Sequence, residues 1–177
     1  MKCASPDLCP QCAAFYGNRS ACYLMLGQPR QALEDARTST TLDAAFEKGW
    51  TRLARCCVLL GDTVTARQAL TRLGELGGDN PGEQRNVEVV ERLVADSQQA
   101  LTASDYRRAL YCLDKALELA THSLTMKTSR AECLAFLGRY SEVRPPSYVS
   151  WPLANSQRPD THLTPRRVTR ECTHVTC

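Results

Sequence analysis

The chain has 177 residues and a nearly even charge balance, with 22 lysines and arginines against 19 aspartates and glutamates. This length is typical of one domain or a short repeat array, and so small a net charge argues against nucleic-acid or membrane-surface binding. There is no long apolar run and no amino-terminal signal pattern, and ten cysteines are too few for a disulfide scaffold, so we expect a cytoplasmic, or also nuclear, protein with reduced thiols.

Similar residues recur at a spacing of 34 along the first part of the chain. The pairs are Tyr16 with Trp50, Tyr23 with Cys57, Gly27 with Gly61, and Ala32 with Ala66. The same spacing separates Ser104 from Gly138, but Gly61 and Gly138 lie 77 residues apart, which is nine more than two periods. The sequence therefore predicts repeats of one structural unit, with nine extra residues near 74–82.

Each period is predicted to form a helix, a tight turn and a second helix. In the first helix, 13–25, apolar or small residues share one face, namely Tyr16, Ala21, Tyr23 and Leu24. Gly27 suits a turn with positive φ, and Pro29 suits the first position of the next helix. Small residues in the second helices, Ala32, Ala66 and Ala109, permit close packing. A single hairpin cannot bury its apolar face, so the hairpins must stack into an all-α solenoid.

The carboxy-terminal part differs in composition from the repeats. From residue 144 onward it contains five of the nine prolines and carries the whole net charge of +3 through its arginines. Prolines at this density prevent a helix or a sheet ladder, so 144–177 is predicted to be disordered. Its arginines are too sparse to form an RNA-binding arm.

The repeats resemble the tetratricopeptide-repeat family. In the first repeat the family positions hold Tyr16, Ser20, Tyr23, Gly27, Ala32, Ala36 and Ser39, and in the second Trp50, Ala54, Cys57, Gly61, Ala66, Leu70 and Leu73. Strings such as DLCPQCAAFYGNRSACYLMLGQPRQAL and RAECLAFLGRY are similar to DnaJ-type co-chaperones with such repeats, over about residues 7–143. Because no His-Pro-Asp tripeptide is present, the resemblance implies a fragment or truncated form lacking the J domain.

The resemblance and the composition together divide the chain into four parts. We expect an irregular remnant of a preceding repeat at 1–12 and two tetratricopeptide repeats at 13–80. A linker helix region, a third repeat and a partial fourth repeat are expected at 81–143. The disordered tail is expected at 144–177.

The resemblance also implies a peptide-binding site. Tetratricopeptide modules that bind Hsp70 and Hsp90 hold the peptide's terminal carboxylate and last Asp side chain with Asn, Lys and Arg from successive first helices of the repeats. The matching residues are Asn18, Lys48 and Arg52. Lys48 and Arg52 lie four residues apart, on one helix face, and Asn18 precedes Arg52 by 34, so stacking would place the two side by side. Such residues form charge-assisted hydrogen bonds to carboxylates.

The function that follows is a protein-interaction module that docks Hsp70 and Hsp90 carboxy-terminal acidic peptides, or client proteins, in a concave groove. Neither nucleic acid nor a membrane is an expected partner. The family site also needs a Lys and an Asn from an earlier helix, which this sequence does not include. The alternative is therefore a remnant solenoid with a structural role only and no independent chaperone binding.

No catalytic role and no cofactor are predicted. Phosphate-binding, nucleophile-elbow and zinc-protease motifs are absent, and the three histidines are scattered. Cys9 and Cys12 form a CxxC pair, but the cysteines and histidine that could complete a zinc site lie some 160 residues away, so no metal site is predicted. Four other cysteines are expected to be small core residues: Cys22, Cys57, Cys112 and Cys133.

Overall fold

A computed structural model describes residues 12–142, and within them the chain forms seven α-helices, one short 3-10 helix and no strand. The α-helices are α1 (Ala13–Met25), α2 (Pro29–Leu42), α3 (Glu47–Leu60), α4 (Thr63–Glu75), α5 (Pro81–Thr102), α6 (Tyr106–Leu119) and α7 (Leu124–Phe136), and the 3-10 helix covers Tyr140–Glu142. Successive helices pack in antiparallel pairs, and α3 also packs against α1 and α5, so the all-α solenoid prediction is confirmed. The expectations for 1–11 and for the tail concern residues outside the described range. Among the described helices, none is both long and apolar enough to cross a membrane.

The turns inside the hairpins repeat one backbone conformation. Gly27, Gly61 and Gly138 have positive φ values of 70°, 81° and 72°, as the sequence predicts for Gly27, and Ser104 takes the same position with a φ of 58°. Pro29 begins α2, where its fixed φ fits and its missing N–H costs no hydrogen bond. The turns thus follow the predicted repeat spacing even where the glycine is replaced.

The last four α-helices, α4 to α7, each begin with a residue whose side chain caps the helix. The capping residues are Asp62, Asn80, Asp105 and Ser123, and the side chain of each accepts a hydrogen bond from a backbone N–H three residues later. This bond satisfies one of the N–H groups that a helix start leaves unpaired. Helix starts from α4 onward are therefore fixed by local sequence.

The contacts between paired helices are made by small residues. Ala32, Ala66 and Ala109 are all fully buried, as predicted. In α1, however, the buried residues are Ala13, Gly17 and Ser20, whereas the predicted stripe of larger side chains is only half-buried. The helices approach so closely that only small side chains fit between them, and the larger ones pack around the edge of the contact.

Serine hydroxyls complete the contact between α1 and α2. Ser20 Oγ donates to the carbonyl oxygen of Ala32 at 2.8 Å, and Ser39 Oγ donates to that of Ala13 at 2.8 Å. Both serines are fully buried, so these bonds offset the cost of removing the hydroxyls from water.

The nine extra residues lie mainly in α5. This helix begins 34 residues after the start of α3 but has 22 residues where α3 has 14, and Ala103 adds one more before the positive-φ residue of the turn, Ser104. Eight additional helical residues make α5 about 12 Å longer than α3. The buried core divides along this helix, because Val87 belongs to a cluster with α3 and α4 while Val90 belongs to one with α6 and α7.

The loop between α6 and α7 lies against the turn between α3 and α4. The backbone N–H of His122 donates to the carbonyl oxygen of Leu59 at 2.9 Å. Ser123 is fully buried, and a Cβ atom added to Gly61 would lie 2.6 Å from its Oγ. Gly61 therefore serves both as a turn residue and as the point of closest approach between these segments.

The cysteine prediction is right for three residues and wrong for one. Cys57, Cys112 and Cys133 are buried, and so is the adjacent Cys56, whereas Cys22 is exposed. Cys22 lies on the solvent side of α1 because the contact with α2 uses the small residues described above. Burial raises the pKa of the Cys56 thiol to about 11 and that of the Cys57 thiol to about 12.

These differences predict selective thiol labelling. With a maleimide at pH 7.5, Cys22 should react at least about a hundredfold faster than Cys56 or Cys57, because only the thiolate reacts and the buried thiols are both inaccessible and harder to ionise. Peptide mapping by mass spectrometry after timed labelling would measure each rate. In guanidinium chloride the three rates should converge, and comparable rates in the native protein would contradict the fold described.

Candidate functional site

Helix α3 carries three cations on its solvent-facing side. Lys48, Arg52 and Arg55 follow one another at spacings of four and three residues, which places them in one stripe along the helix. Lys48 and Arg55 are exposed, and Arg52 is half-buried. The remaining faces of α3 are occupied by its buried residues, which are Gly49, Leu53, Ala54, Cys56, Cys57 and Val58.

Arg52 lies beside Asn18 of α1, as their spacing predicts. The guanidinium Nη2 donates to Asn18 Oδ1 at 3.4 Å, a long hydrogen bond between exposed side chains. Gly17 permits this approach, because a Cβ atom there would lie 2.8 Å from Arg52 Nη1 and 2.7 Å from Phe46 Cε1. The site therefore depends on Gly17, a residue that the sequence patterns did not indicate.

The Arg52 guanidinium is partly withdrawn from water without an acidic partner. Its Nη1 is buried and has no hydrogen-bond partner in the described part of the chain. Burial lowers the pKa of the Arg52 guanidinium from its ordinary value, and the nearby Cys22 partly offsets this. Since arginine remains protonated in proteins, the result is a positive charge in a partly dry setting, where an anion would be held more strongly than on an open surface.

Lys48 lies one turn before Arg52 on the same face, as predicted. Within residues 12–142 no carboxylate forms an ion pair with either side chain. Two neighbouring cations without counter-charges, next to the amide of Asn18, form a site that suits a carboxylate with two oxygens.

Arg55 differs from the other two cations because it has an acidic partner. Its Nη1 donates to Glu83 Oε1 of α5 at 3.0 Å. Sequence reasoning missed both residues. The position of Arg55, three residues after Arg52, could have indicated the cation, but Glu83 lies 28 residues after Arg55, and the repeat spacing does not relate the two.

A second ion pair stabilises the hairpin below the site. Arg19 of α1 binds Asp35 of α2 through two parallel hydrogen bonds of 2.6 Å each, and Asp35 is buried. The Arg19 guanidinium also lies over the rings of Phe15 and Tyr16 at 5.4 and 5.3 Å. Arg19 is therefore engaged in the structure and does not add to the cations of α3.

Other kinds of site find little support in the described residues. No group of three histidine, cysteine or acidic side chains there is placed to hold a metal ion. Cys9, and the carboxy-terminal cysteines and histidine that could complete a zinc site with it, lie outside the described residues. A cavity of about 430 Å³ lies between α5, α7 and the turn at Gly61, lined by a mixture of apolar and small polar side chains.

Several known proteins are similar in sequence to this chain. No family model matches the chain. It is 38% identical over 141 residues to DnaJ homolog subfamily C member 7 from Homo sapiens, and equally so to the Mus musculus protein. The match covers 78% of this chain but 28% of each relative, so the chain spans less than a third of their length. It is also 33% identical over 88 residues to Heat shock protein STI1 from Saccharomyces cerevisiae, which covers 50% of this chain and 14% of that protein.

Among solved structures, the TPR domain of P58(IPK) superposes with a TM-score of 0.66. The superposition covers 76% of this chain and 39% of that domain, at 22% sequence identity. An identity this low supports a shared fold alone.

Proposed function

Because the chain is a tetratricopeptide-repeat α-solenoid, similar over most of its length to part of DnaJ homolog subfamily C member 7, we propose that it binds the acidic carboxy-terminal peptides of partner proteins. The binding is non-catalytic, and the site consists of Asn18, Lys48 and Arg52. The partners proposed are the chaperones Hsp70 and Hsp90, or client proteins. The name of one relative, Heat shock protein STI1, supports a chaperone link.

The observation that carries this proposal is the state of Arg52. It is half-buried, it contacts Asn18 from the neighbouring repeat, and none of its atoms pairs with a carboxylate in residues 12–142. The Nη2 atom has only a long hydrogen bond, at 3.4 Å to Asn18, and a peptide carboxylate would supply a charged acceptor on that side of the guanidinium. Lys48 lies one turn of α3 away from Arg52 and adds a second positive charge. One of the two cations can bind the terminal carboxylate of a peptide while the other binds a neighbouring acidic side chain.

A peptide titration tests the proposal. The probe is a ten-residue peptide that ends in Asp with a free carboxylate, and binding is measured by fluorescence anisotropy up to millimolar protein. Replacing Arg52 with Gln should weaken binding by about ten- to a hundredfold, because a hydrogen bond to a charged group contributes roughly 1.5–3 kcal/mol. The same peptide with a carboxy-terminal amide should lose a similar factor.

The matched control is Arg30→Gln, which removes an exposed arginine of α2 that does not belong to the proposed site. This variant should bind as the unmodified protein does. Failure of the free-acid peptide to bind at millimolar concentration would favour the alternative of a structural solenoid. Equal binding by Arg52→Gln would show that the peptide binds elsewhere.

A further inference from the structure

The carboxylate of Glu83 lies against the stripe of cations on α3. Its Oε1 accepts the hydrogen bond from Arg55 at 3.0 Å, and the residue is 7% exposed. The Arg55 side chain, in contrast, is 61% exposed, so the guanidinium spans from solvent to a buried acid. The third cation of the stripe is therefore already neutralised by the chain itself.

Glu83 is fixed in this position by its own helix start. Asn86 Nδ2 donates to Glu83 Oε2 at 3.2 Å, and the backbone N–H of Glu83 donates to Asn80 Oδ1 at 3.2 Å. A carboxylate in the first turn of a helix is also stabilised by the unpaired N–H groups there. Both carboxylate oxygens are thus hydrogen-bonded, one to Arg55 and the other to Asn86, and rotation away from Arg55 would break both bonds.

Glu83 lies in the first turn of α5. This helix begins at Pro81, 34 residues after the start of α3 at Glu47, so its start keeps the repeat spacing and the eight additional residues extend its far end. Glu83 takes the position that corresponds to Gly49 of α3, and there it places a carboxylate beside Arg55.

We infer that Glu83 acts as an internal acidic ligand of Arg55 and makes the site selective against acidic peptide side chains upstream of the terminal carboxylate. This inference rests on the proposed function, in which Lys48 and Arg52 take the terminal carboxylate. Arg55 lies about 4.5 Å beyond Arg52 along the helix, and an extended peptide advances about 3.3 Å per residue. The excluded acid is accordingly about one or two residues before the end of the peptide, at the second or third position from the end.

The ion pair has a different role at each of its ends. The Glu83 side chain is 9% exposed, so Arg55 compensates a buried negative charge. The Arg55 side chain is 61% exposed and lies on the face where an incoming anion would bind. With Glu83 present, a second carboxylate approaching Arg55 meets a neutral ion pair, whereas without Glu83 it would meet a free guanidinium.

The test uses the full chain and Glu83→Gln, which keeps the side-chain shape and removes the charge. The probes are ten-residue peptides that end in Asp with a free carboxylate and carry one Glu at each of the second to fifth positions from the end, with Gln elsewhere. Glu83→Gln should bind the peptide with Glu at the second or third position about three- to tenfold more tightly than the unmodified protein does, and should bind the all-Gln peptide and those with Glu at the fourth or fifth position unchanged. A gain of affinity cannot arise from partial unfolding.

Two controls define the result. Glu88→Gln removes an exposed carboxylate from the same helix and should give no position-dependent gain. Adding Arg55→Gln to Glu83→Gln should abolish the gain. Normal binding of the all-Gln peptide without any gain in Glu83→Gln would overturn this inference and leave the proposed function intact. Failure of the unmodified protein to bind any free-acid peptide would overturn both.

Discussion

Replacing Leu134 with Ala should lower the free energy of unfolding by about 2–5 kcal/mol, the range measured when a leucine is truncated in a packed core. Leu134 lies on α7 and is fully buried in the cluster that joins α5, α6 and α7. The loss combines the transfer free energy of the removed methyl groups with the cavity that they leave. This cluster is the main support of α7. Its packed side chains can shift only a little, so they cannot fill the cavity.

Urea denaturation followed by circular dichroism would measure this effect. The control is Leu124→Ala in the same helix, where the leucine is 40% exposed and truncation should cost less than about 1 kcal/mol. A loss below 1 kcal/mol in Leu134→Ala would mean that α7 does not pack as described.

Gly61→Ala should destabilise the protein by about 2–4 kcal/mol, more than the same change at any other positive-φ glycine of the hairpin turns. At a φ of 81°, alanine carries a backbone cost of about 1–2 kcal/mol, and its Cβ would lie 2.6 Å from Oγ and 2.8 Å from Cβ of Ser123. Ser123 is fully buried and cannot move aside without displacing the start of α7.

Gly27 provides the matched comparison for this variant. Its φ is 70°, but a Cβ there would meet no atom within 4 Å, so Gly27→Ala should show the backbone cost alone. The double variant Gly61→Ala with Ser123→Gly removes the clashing atoms and should recover most of the steric part, since glycine is tolerated at a helix cap. Thermal melts of the variants would separate the two contributions, and equal losses at Gly27 and Gly61 would contradict the close approach.

Much of the fold could be predicted because the repeat pattern contains residues, such as glycine and proline, that have strong backbone preferences. Gly27 and Pro29 mark a turn and a helix start through their backbone preferences, and the spacing of 34 extends those marks along the chain. The same spacing predicts the contact between Asn18 and Arg52, because stacked repeats superpose equivalent positions. The assignment of a binding role to these residues stays a prediction.

Features that depend on the extra residues could not be predicted in this way. Periodicity counts nine of them near 74–82, but it does not say that eight would lengthen α5. The pairing of Arg55 with Glu83 joins residues 28 apart in sequence, which the spacing of 34 does not relate. Likewise, the exposure of Cys22 depends on how closely α1 approaches α2, which apolar patterning does not specify.

The hydrogen bond from the His122 backbone to Leu59 affects the cooperativity of unfolding. In a regular solenoid each hairpin touches its immediate neighbours alone, so the array can fray from an end one unit at a time. Here the segment that leads into α7 is bonded directly to the turn between α3 and α4, across the intervening hairpin. Unfolding of α7 would therefore also expose the turn at Gly61. Because this contact joins the end of the array to its middle, stepwise unfolding from that end costs more free energy.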